Sequence, residues 1–247
     1  MLYNEGVINY YTIKEEEAKG KTVKVTLSGR TLYKDGKWNT LCLPFDVTIA
    51  GSVLEGATAR PLTSASITGS TMNLTFGDAV TTLTAGTPYI IKWDASGTTV
   101  IANPQFTGVT MSTDDYSYDN RESGDTRVRF FGNYDRRIFN TEDKSILFMG
   151  ADDKLYYPDG VTTTTIGACR AYFKIGEDDV DNARLLTVFD VDFNDGSTTG
   201  IVEVKTTPDP SSLSKEAGWY TLDGRRLEGR PTTKGFYINN GRKIIVK

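Results

Sequence analysis

Apolar and polar residues alternate with a period of two along much of this chain. Val23, Val25 and Leu27 alternate with Lys24, Thr26 and Ser28, the signature of a strand with one buried and one wet face. Asp35-Gly36, between Lys34 and Lys37, marks a hairpin turn. Leu41 to Phe45 is a continuous apolar run, and Pro44 inside it suits a strand end, an edge or a bulge better than a central ladder position. Further strands are predicted at 57–62, 65–76, 88–93, 98–101, 126–134, 145–149, 154–157, 168–175 and 185–193, with Gly, Asn, Asp or Ser between most of them. The spacing predicts an all-β fold, an antiparallel β-sandwich or barrel that forms one domain or two β subdomains. The one helical turn predicted is TIKEEEAKG at 12–20, acidic at its start and closed by Lys19 and Gly20. Nothing alternates a strand with a long helix, which argues against a parallel α/β sheet.

The pattern divides the chain into a lead-in at 1–20, a main β domain at 21–202, a linker at 203–216 and a small β tail at 217–247. The linker VEVKTTPDPSSLSKEAG is rich in Thr, Pro, Ser and Lys and poor in groups that can be buried. In the tail, WYTL, RRLEG, GFYIN and KIIVK are strand-like, with turns at Asp223-Gly224 and Asn240-Gly241, as in a two- or three-stranded unit. About 30 residues build only a marginal core. Trp219, Tyr220, Phe236, Tyr237 and Ile238 are therefore expected to dock on the main domain or stay disordered.

Composition narrows the function classes. With 28 basic and 32 acidic residues the net charge is −4, so a phosphate backbone meets mild repulsion and no nucleic-acid partner is expected. No run approaches the roughly 18 apolar residues of a membrane span. The chain has no histidine, which excludes Ser-His-Asp triads, Cys-His pairs, His-ligated metals and imidazole acid–base chemistry. Cys42 and Cys169 lie in the apolar runs TLCLPF and GACRAYF, where two buried thiols are expected ahead of a disulfide, and their spacing supports no zinc site. No cofactor is expected.

Four constellations carry candidate chemistry. Asp190, Asp192 and Asn194 begin like an EF-hand loop, but Gly196 falls one place late and Ile201 stands where the closing Glu belongs, so a turn explains them better. The carboxylates Asp114, Asp115, Asp119, Asp152, Asp153, Asp178, Asp179 and Asp181 offer the pairs a glycosidase needs, yet their loop settings read as solvated turns. Asp125, Arg127 and Arg129, with Asp135, Arg136 and Arg137 beyond them, suggest a charged strand face with cross-strand ion pairs. The aromatics Trp93, Tyr116, Tyr118, Tyr156 and Tyr157 stand at or near turns, where rings can stack on sugars. Capping the ends of a sandwich would place them there as well.

The tail motifs Gly218-Trp219-Tyr220-Thr221-Leu222-Asp223-Gly224-Arg225-Arg226-Leu227, Lys234-Gly235-Phe236-Tyr237-Ile238 and Asn240-Gly241-Arg242-Lys243-Ile244-Ile245-Val246-Lys247 resemble C-terminal sorting signals read by the type IX (Por) secretion system of Bacteroidetes. The phrases LYKDGKWNTLCLPFDV, LTAGTPYIIKW and CRAYFKI resemble β-rich, adhesin-like domains of Bacteroides- and Prevotella-type surface proteins. The resemblance implies a secreted or outer-membrane surface location and the export machinery as a partner. The start MLYNEGVINYYTIKEEEAKG lacks the basic and apolar regions of a leader, so either the protein is cytosolic or its leader has been removed, and the resemblance of the tail favours removal. The functional expectation is a non-catalytic, adhesin-like interaction domain of a larger exported protein, its ligand a surface glycan or a protein. A carbohydrate-binding module of a surface glycan-utilisation protein is the alternative, and a carboxylate-dependent glycoside hydrolase the third reading.

Overall fold

The computed structural model describes residues 1–94, 99–120, 127–150, 153–176, 186 and 188–196, and as backbone strands 198–199, 219–221, 226–227, 235–239 and 242–246. Two compact units divide the chain, Met1–Val204 and Lys205–Lys247. The fold is all-β and sandwich-like, as the alternation predicts.

A six-stranded sheet organises the first unit. Its order is Thr198–Thr199, Val188–Asp192, Thr71–Phe76, Ala57–Thr68, Pro88–Trp93 and Asn39–Cys42. The Pro88–Trp93 strand shows why PYIIKW is nearly all apolar, since both of its faces are covered. Tyr89, Ile91 and Trp93 enter one core and Ile90 the other. Lys92 keeps its stem in the fold, its Nζ lying 4.6 Å from the Trp38 ring centroid and 2.5 Å from an Asp195 carboxylate oxygen.

The first core packs this sheet against Ile13 of the Asn9–Lys19 helix and against a three-stranded sheet of Leu2–Tyr3, Thr22–Ser28 and Gln105–Thr110. In the second core it meets a five-stranded antiparallel sheet ordered Tyr118–Asp119, Val128–Asn133, Arg170–Ile175, Ile146–Met149 and Leu155–Tyr156. Phe130 and Phe173 stack at 4.5 Å there, and Phe76 meets the edge of Phe130 at 6.0 Å. Two-stranded ribbons, Thr31–Lys34 with Thr99–Ala102, Val47–Thr48 with Thr82–Leu83 and Arg137–Phe139 with Thr164–Ile166, complete the unit.

Several elements depart from the sequence expectation for identifiable reasons. The helix begins at Asn9 instead of Thr12, because Asn9 is buried and hydrogen-bonded as part of the fold. It ends at Gly20, whose φ of 60° suits a left-handed cap and whose amide donates to the Glu17 carbonyl at 2.9 Å. This helix connects Leu2–Tyr3 to Thr22–Ser28 as a parallel pair, and Val188–Asp192 also runs parallel to Thr71–Phe76, so the sheets are not purely antiparallel.

The expected break between 57–62 and 65–76 is a bulge at Leu62/Ser64 within one strand, Ala57–Thr68. The extra residue puts Leu62 and Ala65 in the same core. Asp35-Gly36 makes a turn but no ladder, since Thr31–Lys34 pairs with Thr99–Ala102 and Asn39–Cys42 with Pro88–Trp93. The Asn39 side chain bridges the turn, accepting from the Tyr33 amide at 3.3 Å and donating to the Tyr33 carbonyl at 3.1 Å. Gln105–Thr110 is a strand that alternation did not reveal.

The second unit is a four-stranded antiparallel sheet ordered Arg226–Leu227, Trp219–Thr221, Gly235–Asn239 and Arg242–Val246, one strand more than expected. Its Asp223-Gly224 and Asn240-Gly241 turns and its side chains lie outside the described residues. Among the described residues no helix is long and apolar enough to cross a membrane.

Candidate functional site

A cavity of about 480 Å³ opens where the start of the helix meets three loops. Val7, Tyr10 and Tyr11 form one wall, Thr113 to Asp115 a second, and Asn133 to Asp135 with Arg137 a third. Cys42, Gly86 and Gly132 also line it.

Local hydrogen bonds fix each wall. Asn9, only 2% exposed, accepts from the Tyr3 amide at 3.0 Å and donates to the Tyr3 and Tyr134 carbonyls, each at 2.8 Å. Glu17, one turn before the helix end, accepts from the Thr113 amide at 2.8 Å and hydroxyl at 2.6 Å. Those two bonds hold its carboxyl below the usual range. The Tyr10 amide donates to Asp135 at 3.3 Å. Gly86 admits the second wall, because a Cβ there would sit 2.1 Å from the Asp114 carbonyl oxygen, and its own carbonyl accepts the Tyr116 amide at 3.1 Å.

The cavity is acidic, with Asp114, Asp115 and Asp135 against Arg137. Asp115 accepts the Ser117 amide at 2.9 Å, and the Tyr134 hydroxyl donates to the Asp114 carbonyl at 3.1 Å. Asn133 is buried and donates from Nδ2 to the Asp135 and Gly167 carbonyls at 2.8 and 2.9 Å, while its Oδ1 has no partner among the described residues. Burial pushes the Cys42 and Tyr134 groups well up, and the Cys169 thiol to about 12, so neither sulfur is a nucleophile near neutral pH. At the mouth Tyr10 is 41% and Tyr11 67% exposed, their rings edge to face with centroids 6.0 Å apart.

The aromatic residues singled out by sequence do not come together. Trp93 is 3% exposed in the first core, with its Nε1–H donating to the Glu55 carbonyl at 3.0 Å, so it presents no ring face to a ligand. Tyr118 packs on the second core and accepts the Ala65 amide through its hydroxyl at 3.0 Å. Tyr156 stacks on Phe148 at 6.1 Å, and half-buried Tyr157 lies beneath Lys144 at 5.3 Å. Tyr116, 58% exposed, stands beside the cavity wall.

Asp190 and Asp192 are exposed on a strand, the Asn194 amide donates to Asp192 at 2.8 Å, and its side chain donates to Asp78 at 3.1 Å. That is a turn, and no group of acidic or thiol side chains among the described residues could hold a metal. Cys42 and Cys169 are free, buried thiols, and the Cys42 amide donates to the Cys169 carbonyl at 3.3 Å.

Asp119 pairs with Arg127 through both carboxylate oxygens, and Arg129 donates to the Gly176 carbonyl at 2.8 Å. Arg136 pairs with Glu5 at 3.2 Å. Burial raises the pKa of Asp153, which accepts the Trp38 amide at 2.7 Å. Asp125, Asp152, Asp178, Asp179 and Asp181 lie outside the described residues.

Tyr10 and Tyr11 were missed because 1–20 reads as a lead-in. The available signal was that Lys14 and Glu15, one turn on, offer these rings no apolar partner at i+4.

Fold and cavity define a class, an all-β sandwich-like protein with an acidic cleft rimmed by tyrosines. In comparisons with known proteins the chain matches no family model, no curated protein and no solved structure.

Proposed function

We propose that this chain is a non-catalytic, adhesin-like binding module of an exported protein and that its ligand is a neutral saccharide held in the tyrosine-rimmed cavity. The observation that carries the reading is the exposed Tyr10–Tyr11 pair at the mouth of a cavity lined by three carboxylates and an arginine. A tyrosine ring gives a sugar's C–H face an apolar platform, and carboxylate oxygens accept its hydroxyl protons. Three carboxylates against one arginine disfavour an anionic sugar. Asp115 and Asp135 already accept backbone amides as loop-closing groups, which supports binding over bond cleavage. The resemblance of the tail to sorting signals supports the exported setting.

The test is a glycan array followed by calorimetric titration of the best neutral ligand. Replacing both Tyr10 and Tyr11 by Ala removes two ring contacts of about 0.5–1.5 kcal/mol each and weakens binding by about 5- to 150-fold. Absence of any neutral glycan ligand, or unchanged affinity in the double variant, overturns the proposal.

A further inference from the structure

A second cavity, about 540 Å³, lies against Tyr33, the 35–38 turn, the Asn39–Cys42 edge strand and the start of Arg170–Ile175. We propose that it binds the oxyanion of an acidic saccharide, a sugar carboxylate or sulfate ester, through the Arg170 guanidinium. The inference stands independently of the reading of the first cavity.

Two arginines flank Thr40 here with no close ion pair to a described carboxylate; the charge of Glu5, itself paired with Arg136, favours the Arg170 cation from a distance. Arg30 is 1% exposed and donates from Nη2 to the Thr40 carbonyl at 2.7 Å, leaving Nε and Nη1 without partners among the described residues. The Thr40 hydroxyl accepts the amide of Ala171 at 3.2 Å, which brings the start of the Arg170 strand to the same residue. Arg170 is half-buried, lines the cavity and makes no ion pair with a described carboxylate.

The neighbouring acids are otherwise engaged, since Asp35 accepts the Lys37 amide at 3.0 Å and Asp153 the Trp38 amide at 2.7 Å. Burial works against the charge on Arg170, lowering its pKa, and an oxyanion in the cavity would compensate that cost. The planar fork of a guanidinium matches a carboxylate or sulfate with two parallel N–H···O bonds. Tyr33, 52% exposed and held by Asn39 at its backbone, supplies a ring against which the sugar can lie. Arg170 and Lys37 are the cationic side chains of this lining and Asp35 its acid, whereas three aspartates line the first cavity.

The full chain is titrated by calorimetry with oligogalacturonate, with the same oligomer after reduction of its carboxyls to alcohols, and with a sulfated oligosaccharide. Binding of the carboxylate or the sulfate ligand, with the reduced oligomer at least about tenfold weaker, supports the site and identifies which oxyanion it takes. Arg170→Gln should weaken that binding by about tenfold or more, and Arg170→Lys by less, since the charge survives without the fork. Tyr33→Ala, an exposed substitution that spares the fold, should weaken it about threefold or more, and the Tyr10/Tyr11 double variant should leave it unchanged. The proposal is overturned if neither anionic ligand binds, if the reduced oligomer binds equally well, or if affinity survives in Arg170→Gln.

Discussion

Asn9 is the pin that holds the helix start, and with it Tyr10 and Tyr11, against the rest of the molecule. Its side chain makes three hydrogen bonds to the backbone of Tyr3 and Tyr134 from a position only 2% exposed. Each such bond contributes about 1 kcal/mol net, so Asn9→Ala should destabilise the first unit by about 2–4 kcal/mol. Asn9→Asp should cost more at neutral pH, because it places a carboxylate oxygen where Nδ2 faces two carbonyls. That carboxyl would carry a raised pKa in the folded state. The destabilisation of Asn9→Asp is therefore smallest below the unfolded value of about 3.9 and grows as pH rises through the folded value, whereas that of Asn9→Ala carries no such dependence.

Urea unfolding followed by tryptophan fluorescence reads both effects through the midpoint at constant slope. If opening is confined to the helix, exchange of its amide protons should speed up by about 150-fold for about 3 kcal/mol. A loss below about 1 kcal/mol in Asn9→Ala by both measurements, or an Asn9→Asp variant no worse than Asn9→Ala at pH 7, refutes the reasoning.

Two further predictions concern the wall behind this site. Burial raises the Cys42 and Cys169 pKa values in the folded state, so their stabilising contribution is complete below about pH 8.5 and falls by about 1.4 kcal/mol per pH unit per thiol above it, with Tyr134 adding to the slope beyond about pH 10. Urea midpoints at pH 8, 9 and 10 should show this decline, and a Cys42→Ala/Cys169→Ala variant that declines as steeply would remove the thiols as its cause. Gly132→Ala would bring a Cβ to 2.1 Å from the Cys42 Sγ and 2.9 Å from its Cβ. It should cost about 1–3 kcal/mol by overpacking, part of which Cys42→Ala restores in a double-mutant cycle; strict additivity would show that the clash relaxes elsewhere.

Much of the fold was legible where pairing is reported by local alternation. Val25 and Leu27 are buried as their parity predicts, and the strands at 88–93, 128–133 and 170–175 follow their apolar runs closely. Partner choice was not legible. Asp35-Gly36 is a sound turn signal, yet the strands on either side find better partners elsewhere in the chain. The strand expected to end at 62 continues through a bulge. Trp93 shows a different error, because its position before a turn suggested an exposed ring. Its parity with Tyr89 and Ile91 already assigned it to the same face, and that face is core.

The sites were hidden for a reason that charge makes plain. A net charge of −4 excludes a broad basic footprint, but it averages over two cavities whose linings differ in charge. The division falls within single elements. The Asn39–Cys42 strand gives Asn39 and Thr40 to the Arg170 cavity and Cys42 to the acidic one, and the ladder partners Asn133 and Arg170 are likewise split between them. Nearest neighbours in sequence or register thus serve different surfaces, so no window along the chain carries the charge of either site. Salt separates the two by physics alone. Raising ionic strength from about 0.1 M to 1 M shortens the screening length from about 10 to 3 Å, which should weaken an anionic ligand at Arg170 while leaving a neutral sugar at Tyr10 and Tyr11 nearly untouched.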